Sequence, residues 1–389
     1  MTGKLQMRVL MLVSSPFITD PRIYNEAQTL IKAGYSVTVL AWDREKNAQV
    51  QQDMDGIEIF RLRIPVPFKY GIAKVPWHAL HLAAWQYEAY RTALRLNKQR
   101  PFSFIHCYFL DTLPLGIALK RKWKAPLVFD VRDIYGNMLQ STLPAPLARL
   151  FFSLENKLLK YVDSVITVSE IMSKYFEDSA GRTTTIIMNC KRLVSPEYQP
   201  PANSKFTLLY IGTLHKIRSM DLLFSVAAGL PDVDCIIGGI GQPGYISMLQ
   251  EQARKSNNIS FVGRVPFAEV LKITQTSDAV FCMLDPGDIN GKIGMPNKLF
   301  EAMACGRLII CTKGTYSGDF VEREGTGLAV DYSEAALKEA IVSLRDNREL
   351  RENLGRNALR AAVTRYNWTN EEKKLLEIYA GLQDRSKGR

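Results

Sequence analysis

Short apolar runs separated by amphipathic stretches recur along the whole chain, and their lengths sort it into strands and helices. In the first half "MRVLMLV", "YSVTVLAW", "IEIFRL", "FSFIHCY", "PLVFDV", "SVITVS" and "TTTIIM" are strand-sized and rich in β-branched residues. Between them lie "PRIYNEAQTLIKAG" and a long helical pattern near 76 to 98. Strands alternating with helices predict a parallel sheet with right-handed crossovers. The stretch from 189 to 205, "NCKRLVSPEYQPPANSK", breaks the rhythm with three prolines and reads as an interdomain linker. A second alternation follows, with strands "FTLLYIG", "VDCIIGG", "NISFVG", "DAVFCML", "RLIICT" and "GLAV" and helices near 218 to 229, 245 to 255 and 266 to 275. Helical patterns near 333 to 346, 348 to 365 and 368 to 383 close the chain. The expected fold class is α/β, with two doubly wound, Rossmann-like domains facing a cleft. Ligands of such sheets sit beyond the carboxyl ends of the strands.

One helix of the second half carries chemistry at its mouth. In "GMPNKLFEAMACG", residues 294 to 306, Pro296 suits the first helical position and Gly306 the stop. The segment Gly294, Met295, Pro296, Asn297, Lys298, Leu299 therefore opens a short helix, with Glu301 one turn deeper. Backbone amides at such a mouth attract anions, Lys298 adds charge, and a carboxylate can accept two adjacent hydroxyls. A nucleotide sugar offers both groups, a diphosphate and a ribose. Glycines also recur where the strands of this half end: Gly212 before Thr213, Gly239 and Gly241 in "GGIG", and Gly263 before Arg264. Each is a turn glycine or a place where backbone approaches a ligand. The G-x-G-x-x-G spacing is absent, which argues against a nicotinamide cofactor. In "GTLHKIRS", Lys216 and Arg218 are either solvated loop cations or a clamp on the diphosphate, stabilising it as a leaving group.

With 389 residues and 47% apolar content the chain suits two ordinary domains. No window approaches eighteen consecutive apolar residues, so a soluble, cytoplasmic protein is expected. Six cysteines at 107, 190, 235, 282, 305 and 311 form no C-x-x-C pair and read as reduced core thiols. The net charge of +11 is uneven: residues 1 to 200 hold 26 Lys+Arg against 17 Asp+Glu (+9), residues 201 to 389 hold 24 against 22 (+2). No RNA- or DNA-reading motif accompanies this charge, so no nucleic acid partner is expected; phosphorylated substrates or an anionic membrane remain. The stretch from 68 to 100 pairs Lys69, Lys74, Arg91 and Arg95 with Trp77, Leu80, Ala84, Tyr87 and Leu94 near helical spacing. It packs on a sheet or docks at the inner face of a membrane. The D-x-D pairs at 53 to 55, in a polar loop, and at 232 to 234, opening a strand, have no cleft-facing partner. The histidines have no metal spacing, so no metal site is expected.

Several stretches together resemble the GT-B nucleotide-sugar glycosyltransferases, specifically the large retaining family four. "DPRIYNEAQTLIKAGYSVTVLA", "VDSVITVSE", "YIGTL" with "RSMDLL", "FVGRVP", "SDAVFCML" and "PNKLFEAMACGRLII" follow in that family's order, and "YNWTNEEKKLLEIYAGL" resembles its helix crossing back to the first domain. The resemblance implies that Glu301 binds the donor ribose, that Arg218 holds the phosphates and that the loop at Gly294 offers its amides to them. It also implies retention of anomeric configuration without an essential metal. Two positions depart from the pattern. Ile293 stands where the family carries an acidic residue contacting the transferred sugar, with Asp285, Asp288 or backbone as alternatives. Arg132, in "FDVRD", stands where the family often carries a histidine near the reacting carbon. Arg132 either neutralises phosphate charge or forms a structural salt bridge, with Asp133 or Asp130 as acceptor contacts. His106, read as ending its strand at the cleft edge, is either a core histidine or, with Asp20 and Arg22, an acceptor-side residue.

The expected domains are 1–192 for the acceptor, 193–365 for the nucleotide sugar, and a returning helix over 366–389. The expected activity is sugar transfer from a nucleotide diphosphate sugar, uridine leading as the base, to a saccharide or lipid-linked acceptor in polysaccharide or glycan synthesis, with no separate cofactor. A sugar-nucleotide epimerase and a catalytically silent nucleotide-sugar-binding subunit are the alternatives.

Overall fold

A computed structural model describes residues 6–18, 20–64, 75–140 and 145–387. The chain divides into two compact units: unit 1 comprises Met1–Met188 with Glu372–Arg389, and unit 2 comprises Asn189–Glu371.

In unit 1 the strands are β1 (Arg8–Val13), β2 (Ser36–Trp42), β3 (Gln51–Met54), β4 (Ile57–Leu62), β5 (Phe104–Tyr108), β6 (Leu127–Asp130), β7 (Ser164–Thr167) and β8 (Thr185–Ile186). They lie in the order β3-β4-β2-β1-β5-β6-β7-β8. All are parallel except β3, which pairs antiparallel with β4. Chain order reverses between β1 and β5, so the loops after these two strands flank the switch point. The "RVLMLV" run becomes the central strand, with all six side chains buried. The helix Pro21–Lys32 follows it because Asp20 caps it, accepting from the amides of Arg22 and Ile23, and Pro21 occupies a first-turn position.

Three local readings are corrected. Asp53 lies in β3 rather than in a loop, since "QQDM" folds back on β4 through a turn at Asp55 and Gly56. "TTTIIM" yields only a two-residue edge strand. The helix Val75–Gln99 buries Trp85, Ala89, Ala93 and Leu96, an i, i+4, i+8, i+11 stripe stacked on Trp42 through Trp85, while Leu80 and Tyr87 are exposed at 57% and 61%. Lys69 and Lys74, and the side chain of Trp77, lie outside the described residues.

Unit 2 holds β9 (Phe206–Leu214), β10 (Val233–Gly241), β11 (Ile259–Gly263), β12 (Ala279–Phe281), β13 (Leu308–Thr312) and β14 (Gly327–Val330). Their order β11-β10-β9-β12-β13-β14, all parallel, is the doubly wound arrangement with its switch point between β9 and β12. A core of Leu208, Tyr210, Phe224, Ile237, Phe281, Ile310 and Ile341 joins the sheet to its helices. The expected helix near 218 to 229 is broken at its start: a single 3₁₀ turn, Lys216–Arg218, is followed by Ser219 in the left-handed region (φ 56°) and then by the helix Met220–Ala228. The last helix, Trp368–Lys387, begins in unit 2 and belongs to unit 1 from Glu372 onward. All six cysteines are buried free thiols.

Candidate functional site

The switch point of unit 2 gathers the residues singled out from the sequence. After β9 the chain turns through Lys216–Arg218, closed by bonds from the Arg218 amide to His215 O (2.9 Å) and from the Ser219 amide to Lys216 O (2.9 Å). After β12 the chain passes the short helix Ile289–Ile293 and enters the helix Asn297–Ala304. The two loops are tied together by the Asp285 amide donating to Ile217 O at 3.0 Å. Pro296 is the N-cap, not the first helical residue, because its ψ of 143° is extended; Asn297 opens the helix.

Lys298 and Glu301 are both buried in this helix. The Lys298 Nζ lies 4.3 Å from the centroid of the Tyr210 ring, and a Cβ built on Gly212 would stand 3.1 Å from it. Gly212 thus leaves the space the ammonium fills. Gly239 allows an even closer approach: with φ +147°, its Cβ would fall 1.7 Å from Gly212 O. The strand ends of β9 and β10 are therefore bare backbone beside a buried cation. Burial, and then the neighbouring Arg218 charge, push the Lys298 amine down to about 8. The nearby Arg218 charge disfavours the Lys298 ammonium, and a diphosphate bound beside the two cations would relieve that repulsion. Thr213, Lys216, Arg264 and Asn297 are exposed, and Gly241, Gly263 and Gly294 half-buried, at the same ends of the sheet elements, while Met295 and Leu299 pack inward.

The sequence reading missed three residues here. Lys191, in the stretch read as linker, is buried with its Nζ 3.3 Å from Glu301 Oε1. Ser219 is buried in a left-handed backbone conformation, and its hydroxyl has no hydrogen-bond partner among the described residues. Tyr210, whose hydroxyl donates to Thr213 O, forms the floor beneath Lys298. Only its place in the apolar run "FTLLYIG" marked Tyr210, and nothing local marked the other two.

In unit 1 the singled-out residues fall into two groups. Arg132 Nη1 donates to both oxygens of Asp20, at 3.0 and 2.8 Å, and its guanidinium lies 4.4 Å over the Phe109 ring. The salt-bridge alternative for Arg132 is thus the one realised here, with Asp133 exposed beside it. Arg22 is fully enclosed: its Nε and Nη2 donate to Asp130 Oδ2 (2.9 and 2.7 Å), its Nη1 donates to Ile187 O (2.7 Å), and its Nε lies 3.1 Å from Glu26 Oε1. His106 lies within β5 with no exposed surface, rather than at a strand's carboxyl edge. Its Nδ1 pairs with the Tyr379 hydroxyl at 2.9 Å and its ring stacks on Tyr108, whose hydroxyl donates to Glu26 Oε2 at 2.6 Å. This is the core arrangement.

Burial and then the Asp130 charge raise the Glu26 carboxyl well above the usual range. Burial opposes ionisation of Asp130 as well, but Arg22 and Arg132 hold its carboxyl low. Burial pushes His106 down to about 4, so it is neutral. The two carboxyls beside Arg22 are thus shifted in opposite directions, Glu26 up and Asp130 down. Ligand-type atoms of Glu26, His106 and Asp130 lie within 4.8 Å of one another, a grouping that no sequence spacing reveals. The positive charge among them is already supplied by Arg22.

Residues 19–189 match the family Glycosyl transferase 4-like domain, and residues 195–361 match Glycosyl transferases group 1. The chain belongs to the group 1 glycosyltransferases of the GT-B fold. Sucrose-phosphate synthase from Thermosynechococcus elongatus shares the fold of this glycosyltransferase, with a TM-score of 0.79 at 17% identity over 97% of this chain and 99% of that one. HepE of Anabaena, in complex with UDP-glucose, does so with a TM-score of 0.71 at 18% identity over 97% and 100%. An uncharacterized glycosyltransferase of Methanocaldococcus jannaschii, MJ1069, is 25% identical over 46% of this chain and 46% of its own length. The match thus spans just under half the length of that relative. Among the described residues, no helix of the glycosyltransferase is long and apolar enough to cross a membrane.

Proposed function

We propose that this chain moves a sugar from a nucleoside diphosphate sugar bound by unit 2 to a saccharide or lipid-linked acceptor handled by unit 1, in polysaccharide or glycan synthesis. The observation that carries the reading is the buried pair Lys298 and Glu301 at the β9–β12 switch point, beside bare glycine backbone and Arg218. In this reading Glu301 accepts from the ribose diol, and the base lies toward Gly263 and Arg264. Lys298, Arg218, Lys216 and the amides near Gly294 stabilise the departing diphosphate. The anomeric configuration is retained, with no enzymatic nucleophile and no metal. The HepE structure containing UDP-glucose supports uridine as the base. Exposed Arg91 and Arg95 support a peripheral position on an anionic cytoplasmic membrane face; unchanged binding to anionic liposomes in the double glutamine variant removes that part.

A second reading, a catalytically silent nucleotide-sugar-binding subunit, is favoured by Ile293 and by the engagement of Arg132 with Asp20. Two measurements test the pair. Calorimetry with UDP, GDP and ADP is expected to show binding of at least one that weakens by about tenfold or more in Glu301→Ala. Absent or undiminished binding rejects the donor site. Radiolabelled nucleotide sugars incubated with the chain and a membrane extract then separate the activities: label in lipid or saccharide supports transfer, an altered free sugar nucleotide means epimerisation, and binding without turnover means the silent subunit.

A further inference from the structure

The chain leaves unit 1 after Met188 and returns to it at Glu372. Inside unit 2 the segments next to these crossings are bonded to each other. Lys191 bridges to Asn367, and Lys191 O accepts from the Trp368 amide at 3.0 Å. Asn367 is itself fixed, its side-chain amide donating to Ala362 O (2.9 Å) and Val363 O (3.1 Å). The backbone of Lys191 is thus held in place while its side chain runs inward. There its Nζ meets Glu301 Oε1 at 3.3 Å and lies 5.8 Å from the Phe267 ring centroid. Both partners are nearly enclosed, with side-chain exposures of 4% and 11%.

A carboxylate that accepts from a vicinal diol must turn its two oxygens toward the two hydroxyls, and a free glutamate side chain loses rotamer entropy to do so. It also repels a diphosphate nearby unless a cation offsets its charge. From this geometry we infer that Lys191 is a positioning residue for Glu301, holding its carboxylate turned and charge-balanced to receive the ribose hydroxyls of the donor. The inference rests on the donor-site reading above.

The test measures UDP, or whichever of UDP, GDP and ADP binds best, together with its 2′,3′-dideoxy analogue, against wild type, Lys191→Met and Lys191→Arg. Wild type is expected to prefer the ribose form. Lys191→Met is expected to weaken the ribose form by about tenfold while leaving the dideoxy form nearly unchanged, with partial recovery in Lys191→Arg. Loss of packing alone would weaken both forms equally, so an unchanged preference in Lys191→Met overturns the role of Lys191 and leaves the donor site standing. Absence of any preference in wild type overturns the Glu301 reading itself. Should Lys191→Met fail to fold, Lys191→Gln and Lys191→Arg carry the same comparison.

Discussion

The ammonium of Lys298 sits 4.3 Å from the centre of the Tyr210 ring and close enough to Gly212 that a methyl group there would touch it. Its amine, near 8, is poised to change charge within an accessible pH range. A bound diphosphate favours the protonated form and raises that value, so binding takes up a proton where the free amine is neutral. Nucleotide affinity is therefore expected to fall as pH rises through about 8, and Lys298→Arg is expected to flatten the fall because a guanidinium stays charged. Calorimetry across that range decides the point; affinity that is level or rising in wild type refutes it.

Gly239→Ala is expected to destabilise the protein by about 2–4 kcal/mol, because the new methyl group meets Gly212 O and the backbone is left-handed. Gly244→Ala, in the first turn of the helix Pro243–Arg254 with open space around it, serves as the control. It is expected to be neutral or to stabilise by up to about 1 kcal/mol. Urea unfolding of the two variants measures the contrast.

Much of this architecture was legible in the chain. "RVLMLV" could only be a buried strand, and Asp20 with Pro21 announces the helix after it. The boundary at Pro296 was misplaced by one residue because the φ of proline, fixed at about −65°, fits both the N-cap and the first helical position; ψ decides, and sequence does not carry ψ. The buried face of the helix Val75–Gln99 was misread because its outer face is also apolar at helical spacing. Lys191 and Glu301, or His106 and Tyr379, are joined only by the tertiary fold. Periodicity reports which side of an element is covered, not which charge it meets there.

The Glu26 and Asp130 carboxyls are shifted in opposite directions around Arg22, burial raising the first while Arg22 and Arg132 hold the second low. Glu26→Gln places a neutral group of the same shape where the carboxyl is already pushed toward its neutral form and is expected to cost less than about 1 kcal/mol, whereas Asp130→Asn strands a buried guanidinium and is expected to cost about 3 kcal/mol or more. Equal losses in denaturant unfolding would contradict the assignment.

His106 supplies a pH signature of unit 1. Its folded value of about 4 lies below the unfolded 6.5, so between these values the unfolded chain binds a proton that the native one does not. The stability that the neutral ring contributes is complete above about 6.5 and is lost as pH falls toward about 4. His106→Gln is expected to reduce this acid-side slope, and Tyr379→Phe to cost about 1 kcal/mol at neutral pH through the lost hydrogen bond. Thermal unfolding as a function of pH measures both.

The six enclosed thiols are divided unevenly, Cys107 in unit 1 and Cys190, Cys235, Cys282, Cys305 and Cys311 in unit 2. A reagent that alkylates only opened chain therefore labels each half with its own mass increment, one adduct or five. Mass spectrometry along a denaturant series would thus report which half melts first, without any engineered probe.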